Sequence, residues 1–131
     1  MINRYSRKEI KDIWNDKNKY KIWLDIEIAA AKSMEQLNII PKGVSRKVKR
    51  KAKINVDRIN KIESQVHHDV IAFLTSITEK VGPEGKFLHK GMTSSDVLDT
   101  CFNIQLQQAG DILLKDIDEI LKVLKKKSLK Y

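Results

Sequence analysis

Apolar residues recur at spacings of three and four almost everywhere along the chain, with no sustained period-two alternation, so the pattern predicts helices throughout. Only two prolines and five glycines punctuate it. Ser6 followed three positions later by Glu9 has the form of a capping box, and Ile10, Ile13 and Trp14 supply a short stripe behind it, which predicts a first helix. Trp23, Ile26, Ala30, Met34 and Leu37 predict the buried face of a second. That helix should end before Ile40-Pro41, because proline disfavours helix in the residue preceding it. Gly43 to about Ala52 is polar and basic, a weaker signal for a surface helix. Asn55 or Asp57 stands where it could cap a further helix through Ile59, Ile62 and Val66. Val70, Phe73, Leu74 and Ile77 form another apolar face as far as Gly82-Pro83. From Gly82 to Met92, three glycines, one proline and little periodicity predict a loop, of a length more often functional than merely connecting.

The last segment carries the longest pattern. Leu98, Phe102, Leu106, Ala109, Leu113, Ile117, Ile120 and Leu124 keep helical spacing without a break. A helix from Ser95 to Lys127 would be roughly 50 Å long at about 1.5 Å per residue. The residues before it would make a body only about 25 Å across. Such a helix exposes much of its apolar stripe unless other helices lie along it, so partners from a continuation of the chain or from other subunits are expected.

Composition narrows the class. Of 131 residues, 41% are hydrophobic and 33% charged, which is a globular balance rather than that of a disordered or membrane protein. Apolar runs such as Val70 to Leu74 are far too short to span a bilayer, and the start, Met1-Ile2-Asn3-Arg4, does not read as a secretory signal, so a cytoplasmic location is the default. The single cysteine, Cys101, lies inside an apolar helical pattern and reads as a packed core thiol. The formal net charge is +9, with basic runs at Arg46 to Lys53 and Lys122 to Lys130. Both admit a polyanionic partner, and both have the plainer reading of solvated faces.

Two runs could carry chemistry. His67-His68-Asp69 stands between two apolar faces, and histidine titrates nearest working pH, which suits general acid or base work; a cap or an inert surface histidine is the plain alternative. His89-Lys90-Gly91-Met92-Thr93-Ser94-Ser95-Asp96 leads from the loop into the long helix. Thr93, Ser94 and Ser95 are natural caps, and the unpaired N–H groups of a helix start can hold a carboxylate or phosphate. A simple capped helix start explains the same residues.

Taken together, the HDV at 68–70, the H-x-G-x-T-S-x-D-V-x-D-T run at 89–100, Arg4-Tyr5-Ser6 and the Trp23 to Glu27 pattern resemble the amino-terminal third of the adenylosuccinate lyase family, within the fumarase/aspartase superfamily. The resemblance implies an all-α fold, with a small N-terminal helical domain over 1–92 and the first long helix of a helical-bundle domain over 93–131. It implies β-elimination of fumarate from adenylosuccinate to give AMP, and from SAICAR to give AICAR, with no metal or organic cofactor. His68 matches a catalytic histidine on the acid side. Arg4 and Tyr5 match residues that bind the nucleotide portion, His67 and Asp69 flank the catalytic histidine at the substrate, His89 matches a histidine near the phosphate, and Thr93 and Ser94 match a substrate-binding hydroxyl pair. His67 departs from the family, which usually has Arg or Lys there. The resemblance also implies a homotetramer when full length, a nucleotide substrate as the partner rather than nucleic acid or a membrane, and a catalytic base beyond position 131, so that this stretch alone would be inactive. Two alternatives stay open: another superfamily lyase or cycloisomerase, and a non-enzymatic basic helical module that binds RNA.

Overall fold

The computed structural model describes residues 3–131, which among them form six α-helices and no strand. They are α1 (Lys8–Ile13), α2 (Asp16–Gln36), α3 (Val44–Lys51), α4 (Val56–Val66), α5 (Asp69–Val81) and α6 (Ser94–Ser128), with short 3-10 turns at Asn3–Tyr5 and Pro83–Phe87. The fold is all-α. Among the described residues no helix is long and apolar enough to cross a membrane.

The core forms where α2 meets α5. Tyr20 and Trp23, one helical turn apart on α2, close on Phe73 of α5: Tyr20 stacks on Phe73 at 5.8 Å between centroids, and Trp23 meets it edge-on at 5.4 Å. Ile59 and Ile62 of α4 and Val70, Ile77 and Val81 of α5 complete this cluster. The α4–α5 hairpin is also tied across its open end, where Arg58 Nε donates to Glu79 Oε2 at 3.0 Å.

The buried face of α2 is Tyr20, Trp23, Glu27 and Ala31, with Ile22 beside it. This corrects the stripe expected from the sequence: Ile26, Ala30 and Met34 are only half-buried, and Leu37 is exposed. The helix ends at Gln36, ahead of Ile40-Pro41 as expected, where Asn38 turns left-handed at φ 56° and the Ile39 N–H closes back on the Met34 carbonyl at 2.9 Å. The Ser6–Glu9 capping box is not what begins α1. Arg7 is the N-cap, without a side-chain cap bond, and its guanidinium instead pairs with Asp116 on α6.

Helix α3 is amphipathic despite its charge, burying Val44, Ser45 and Val48. Its first turn is capped from outside by Glu35 of α2, which accepts the Ser45 N–H. Of the two candidates, Asn55 is the residue that caps α4, accepting the Arg58 N–H at 3.0 Å. The segment expected as a bare loop after α5 contains the Pro83–Phe87 turn, packed so closely on α5 that a Cβ on Gly85 would lie 2.5 Å from Thr78 Cγ2. Only glycine fits there without displacing the helix.

The long helix α6 spans 35 residues, one more at each end than expected. It runs antiparallel to α2: Val97, Cys101 and Gln105 are its buried residues, with Cys101 Sγ near the Lys19 carbonyl and the Gln105 amide on the Ile13 carbonyl. Cys101 is a buried free cysteine, as expected, and burial pushes its thiol pKa up. Trp14 covers one edge of Phe102, 6.1 Å between ring centroids. From Ile117 onward every residue is exposed, the rest of the apolar stripe included.

Candidate functional site

His67, His68 and Asp69 make the joint between α4 and α5. His67 ends α4 in the left-handed region, φ 51°, with its N–H on the Glu63 carbonyl at 2.8 Å. Its side chain lines an open depression with Asn60, Glu63 and Ser64. His68 is the N-cap of α5: its Nδ1 accepts the Ile71 N–H at 3.4 Å. A backbone amide only donates, so Nδ1 is the bare nitrogen and a neutral His68 carries its proton on Nε2. Nε2 is thus the ring nitrogen that can exchange a proton on the side away from the helix. Asp69 Oδ1 stands 3.6 Å from His68 Nδ1 and accepts the Val70 N–H at 2.7 Å. The cap and the aspartate therefore compete for the same ring nitrogen, the cap preferring it bare and the carboxylate preferring it protonated.

The second group lies where the 82–92 segment reaches α2. His89, at φ 57°, donates its backbone N–H to Glu27 Oε2 at 2.7 Å, and its Nδ1 lies 2.7 Å from Glu27 Oε1. Glu27 is 1% exposed. Four residues beyond His89, Thr93 is the N-cap of α6, and Asp96 Oδ2 accepts the Thr93 N–H at 2.8 Å. Ser94 and Ser95, the first helical residues, carry amides that no intrahelical carbonyl can reach, which leaves them for a ligand or water. The Asp96 carboxylate sits in that same first turn and reduces its pull on an anion.

Arg4 and Tyr5 are the remaining candidates. They form the 3-10 turn at the start of the described chain, with the guanidinium carbon 4.8 Å from the Tyr5 ring centroid, a cation–π contact on an exposed surface. The candidates thus fall into three groups, each held by its own partners: the α4–α5 joint, the head of α6, and the Arg4–Tyr5 turn. Among the described residues, no cluster of three or more His, Cys, Asp or Glu is placed to hold a metal ion. Glu27 was not singled out in the sequence as a buried partner of His89. Its signal was present as a carboxylate on an otherwise apolar row, Tyr20, Trp23, Glu27, Ala31, at spacings of three and four.

A family model described as lyase matches residues 4–131. The chain belongs to this lyase family. Among curated proteins, this lyase chain is 44% identical over 124 residues to an adenylosuccinate lyase of Thermotoga maritima, an alignment covering 95% of the chain and 29% of that relative. The chain therefore spans less than a third of that relative's length. Among solved structures it resembles a fumarate lyase from Mesorhizobium sp. BNC1, with a TM-score of 0.80 at 20% identity over 90% of this chain and 30% of that one. It also resembles a β-carboxy-cis,cis-muconate cycloisomerase from Acinetobacter calcoaceticus sp. ADP1, with a TM-score of 0.69 at 24% identity over 79% and 26% of the two chains. At those identities the two likenesses establish the lyase fold and leave the substrate to other arguments.

Proposed function

We propose that this chain is the amino-terminal portion of an adenylosuccinate lyase, which eliminates fumarate from adenylosuccinate to leave AMP and performs the matching cleavage of SAICAR to AICAR. The observation that carries the reading is the 44% identity, over nearly the whole chain, to an adenylosuccinate lyase. The site chemistry is compatible with it. In the elimination, a base removes a proton from the succinyl carbon next to the C–N bond, that electron pair becomes the new C=C bond, and the C–N pair leaves with nitrogen, which an acid protonates. His68 is assigned as the acid in this scheme, giving the leaving nitrogen a proton from Nε2, the ring nitrogen on the side away from the α5 cap. Negative charge gathers on the succinyl carboxylate next to the carbon that loses its proton, and fixed donors at the head of α6 suit such a group. His89, Thr93 and Ser94 are assigned to the anionic parts of the substrate, Arg4 and Tyr5 to the nucleotide, and His67 and Asp69 to the flank of the acid. A guanidinium is well matched to phosphate, and a phenol to a base or ribose edge.

The base is assigned to chain beyond this portion, and the active enzyme to a tetramer in which the exposed face of α6 is covered by other helices. The exposed stripe from Leu113 to Leu124 favours that arrangement. Purified complete enzyme should convert adenylosuccinate to AMP and fumarate, followed by absorbance and by product chromatography. This 131-residue portion alone should not. Turnover of a non-nucleotide superfamily substrate, with none of adenylosuccinate, would overturn the reading.

A further inference from the structure

A carboxylate taken out of water is unstable unless hydrogen bonds replace its hydration. Glu27 has both oxygens engaged by a single residue, one on the His89 backbone N–H and one facing His89 Nδ1, each at 2.7 Å. The backbone bond has only one possible direction. The ring bond depends on which nitrogen carries the proton. His89 is also held in the left-handed region, which non-glycine residues seldom enter, while its ring keeps 17% of its surface exposed. One buried carboxylate therefore fixes both where the His89 backbone lies and how its ring is turned. Across the ring from Nδ1, Nε2 points away from Glu27.

We propose that Glu27 is a positioning residue that holds one proton on His89 Nδ1, so that a second proton, taken up as the substrate arrives, sits on Nε2 and is donated to an anionic oxygen of the substrate. The identity of that anion, a phosphate monoester, rests on the lyase function proposed above; the proton placement rests on the geometry. The negative charge beside Nδ1 draws a proton there and also stabilises the cationic ring, in which Nε2 becomes a charged donor. His68 is the opposite case, its Nδ1 bare against a backbone amide. The two histidines thus present Nε2 in different protonation patterns.

A purely structural pair, one that merely pins the 82–92 segment to α2, makes no demand on where the proton sits. Glu27→Gln separates the two. Its amide has one acceptor and one donor, so it keeps both bonds only by giving its oxygen to the His89 N–H and its NH2 to Nδ1, which must then be bare. The ring proton moves to Nε2, and the cation can form only by breaking a bond.

The test reads ring nitrogens directly, in the 131-residue chain labelled with nitrogen-15 histidine, which holds three such rings. His89→Gln identifies the signals of interest. The wild-type chain should show His89 Nδ1 protonated, and Glu27→Gln should show it bare with Nε2 protonated. A bare Nδ1 in the wild type overturns the proposal, whether or not the variant folds. In the complete enzyme, Glu27→Gln should raise KM for adenylosuccinate and the inhibition constant of AMP by about tenfold or more, with kcat within about threefold. A fall in kcat at unchanged KM would overturn the anion-binding role. If the wild-type enzyme does not turn over adenylosuccinate at all, the proposed function fails, and the nitrogen signals still decide the proton placement.

Discussion

The side-chain amide of Gln105, buried on α6, donates to the main-chain carbonyl of Ile13 at 2.7 Å, joining positions 92 residues apart. That carbonyl belongs to the last residue of α1, where no intrahelical donor can reach it. Its other surroundings are apolar or already paired: Cys101 Sγ lies 3.6 Å from Gln105 Oε1, and Asn18 bridges Ile13 O to Gln108. The amide network, rather than apolar contact alone, sets how α1 lies on the long helix.

Gln105→Leu keeps the bulk and removes the donor. The expected loss is about 0.5–1.5 kcal/mol, the net worth of one hydrogen bond, because Asn18 Nδ2 still donates to the carbonyl. Denaturant unfolding would measure it. A midpoint equal to the wild type would mean that Asn18 alone satisfies the carbonyl.

His68 has two duties that substitution can pull apart, capping α5 and supplying a proton. In the complete enzyme, His68→Ala should lose both, with kcat down by about a hundredfold or more and a stability loss of about 1 kcal/mol from the missing cap. His68→Asn should keep the cap and lose only kcat. If KM alone rises in His68→Asn while kcat holds, the histidine binds substrate without moving a proton.

The Ser45 N–H bonded to Glu35 holds that carboxyl below its ordinary range. A depressed carboxyl contributes stability that is present above its unfolded value and lost as pH falls through the folded one. Glu35→Gln still offers an oxygen to Ser45 but does not titrate. The stability gap between wild type and variant should therefore close on acidification below about pH 4, the unperturbed glutamate range. Urea midpoints across that range would check it, and a gap constant with pH would show that the contact does not depend on charge.

On α6, Leu113, Ile117, Ile120 and Leu124 are each more than half exposed, and each such side chain gains roughly 1.5–3 kcal/mol on full burial. The isolated chain should therefore self-associate. Its net charge of +9 opposes this, but added salt screens the charge and leaves apolar contact intact. Light scattering should show a mass above the monomer that holds or grows with salt. A strictly monomeric mass at micromolar concentration would count against the uncovered stripe as a driving surface.

Long-range pairing marks where the sequence stops being legible. α6 could be read almost to the residue because its period repeats for many turns and it begins at a capping box. The α4–α5 joint was also legible, since His68 and Asp69 separate two clear apolar faces. The face of α2 was misread because Glu27 looks like a solvent residue in its local window, and the histidine hydrogen-bonded to it lies 62 positions away. α1 was misplaced at its cap for a similar reason: Arg7 is engaged with Asp116, 109 positions on, a partner no local pattern contains. In the candidate site, the HDV run and the Thr93–Ser94 helix start stood out as motifs. The grouping of those residues, and the carboxylate that holds His89, depended on contacts between helices.

The anchorage of α6 makes it a lever. Gln105 is its last buried residue, and Ser128 lies about 35 Å further along at 1.5 Å per residue, so a tilt of only about 10° at the anchorage would swing the tip by about 6 Å. The Arg7–Asp116 pair acts as a stay further out on this arm, and an exposed ion pair is a soft one. Small changes of side-chain volume at Val97 or Cys101, far from the free end, are therefore multiplied along the rod. The aim of the whole apolar stripe is set by a few ångströms of packing at its base.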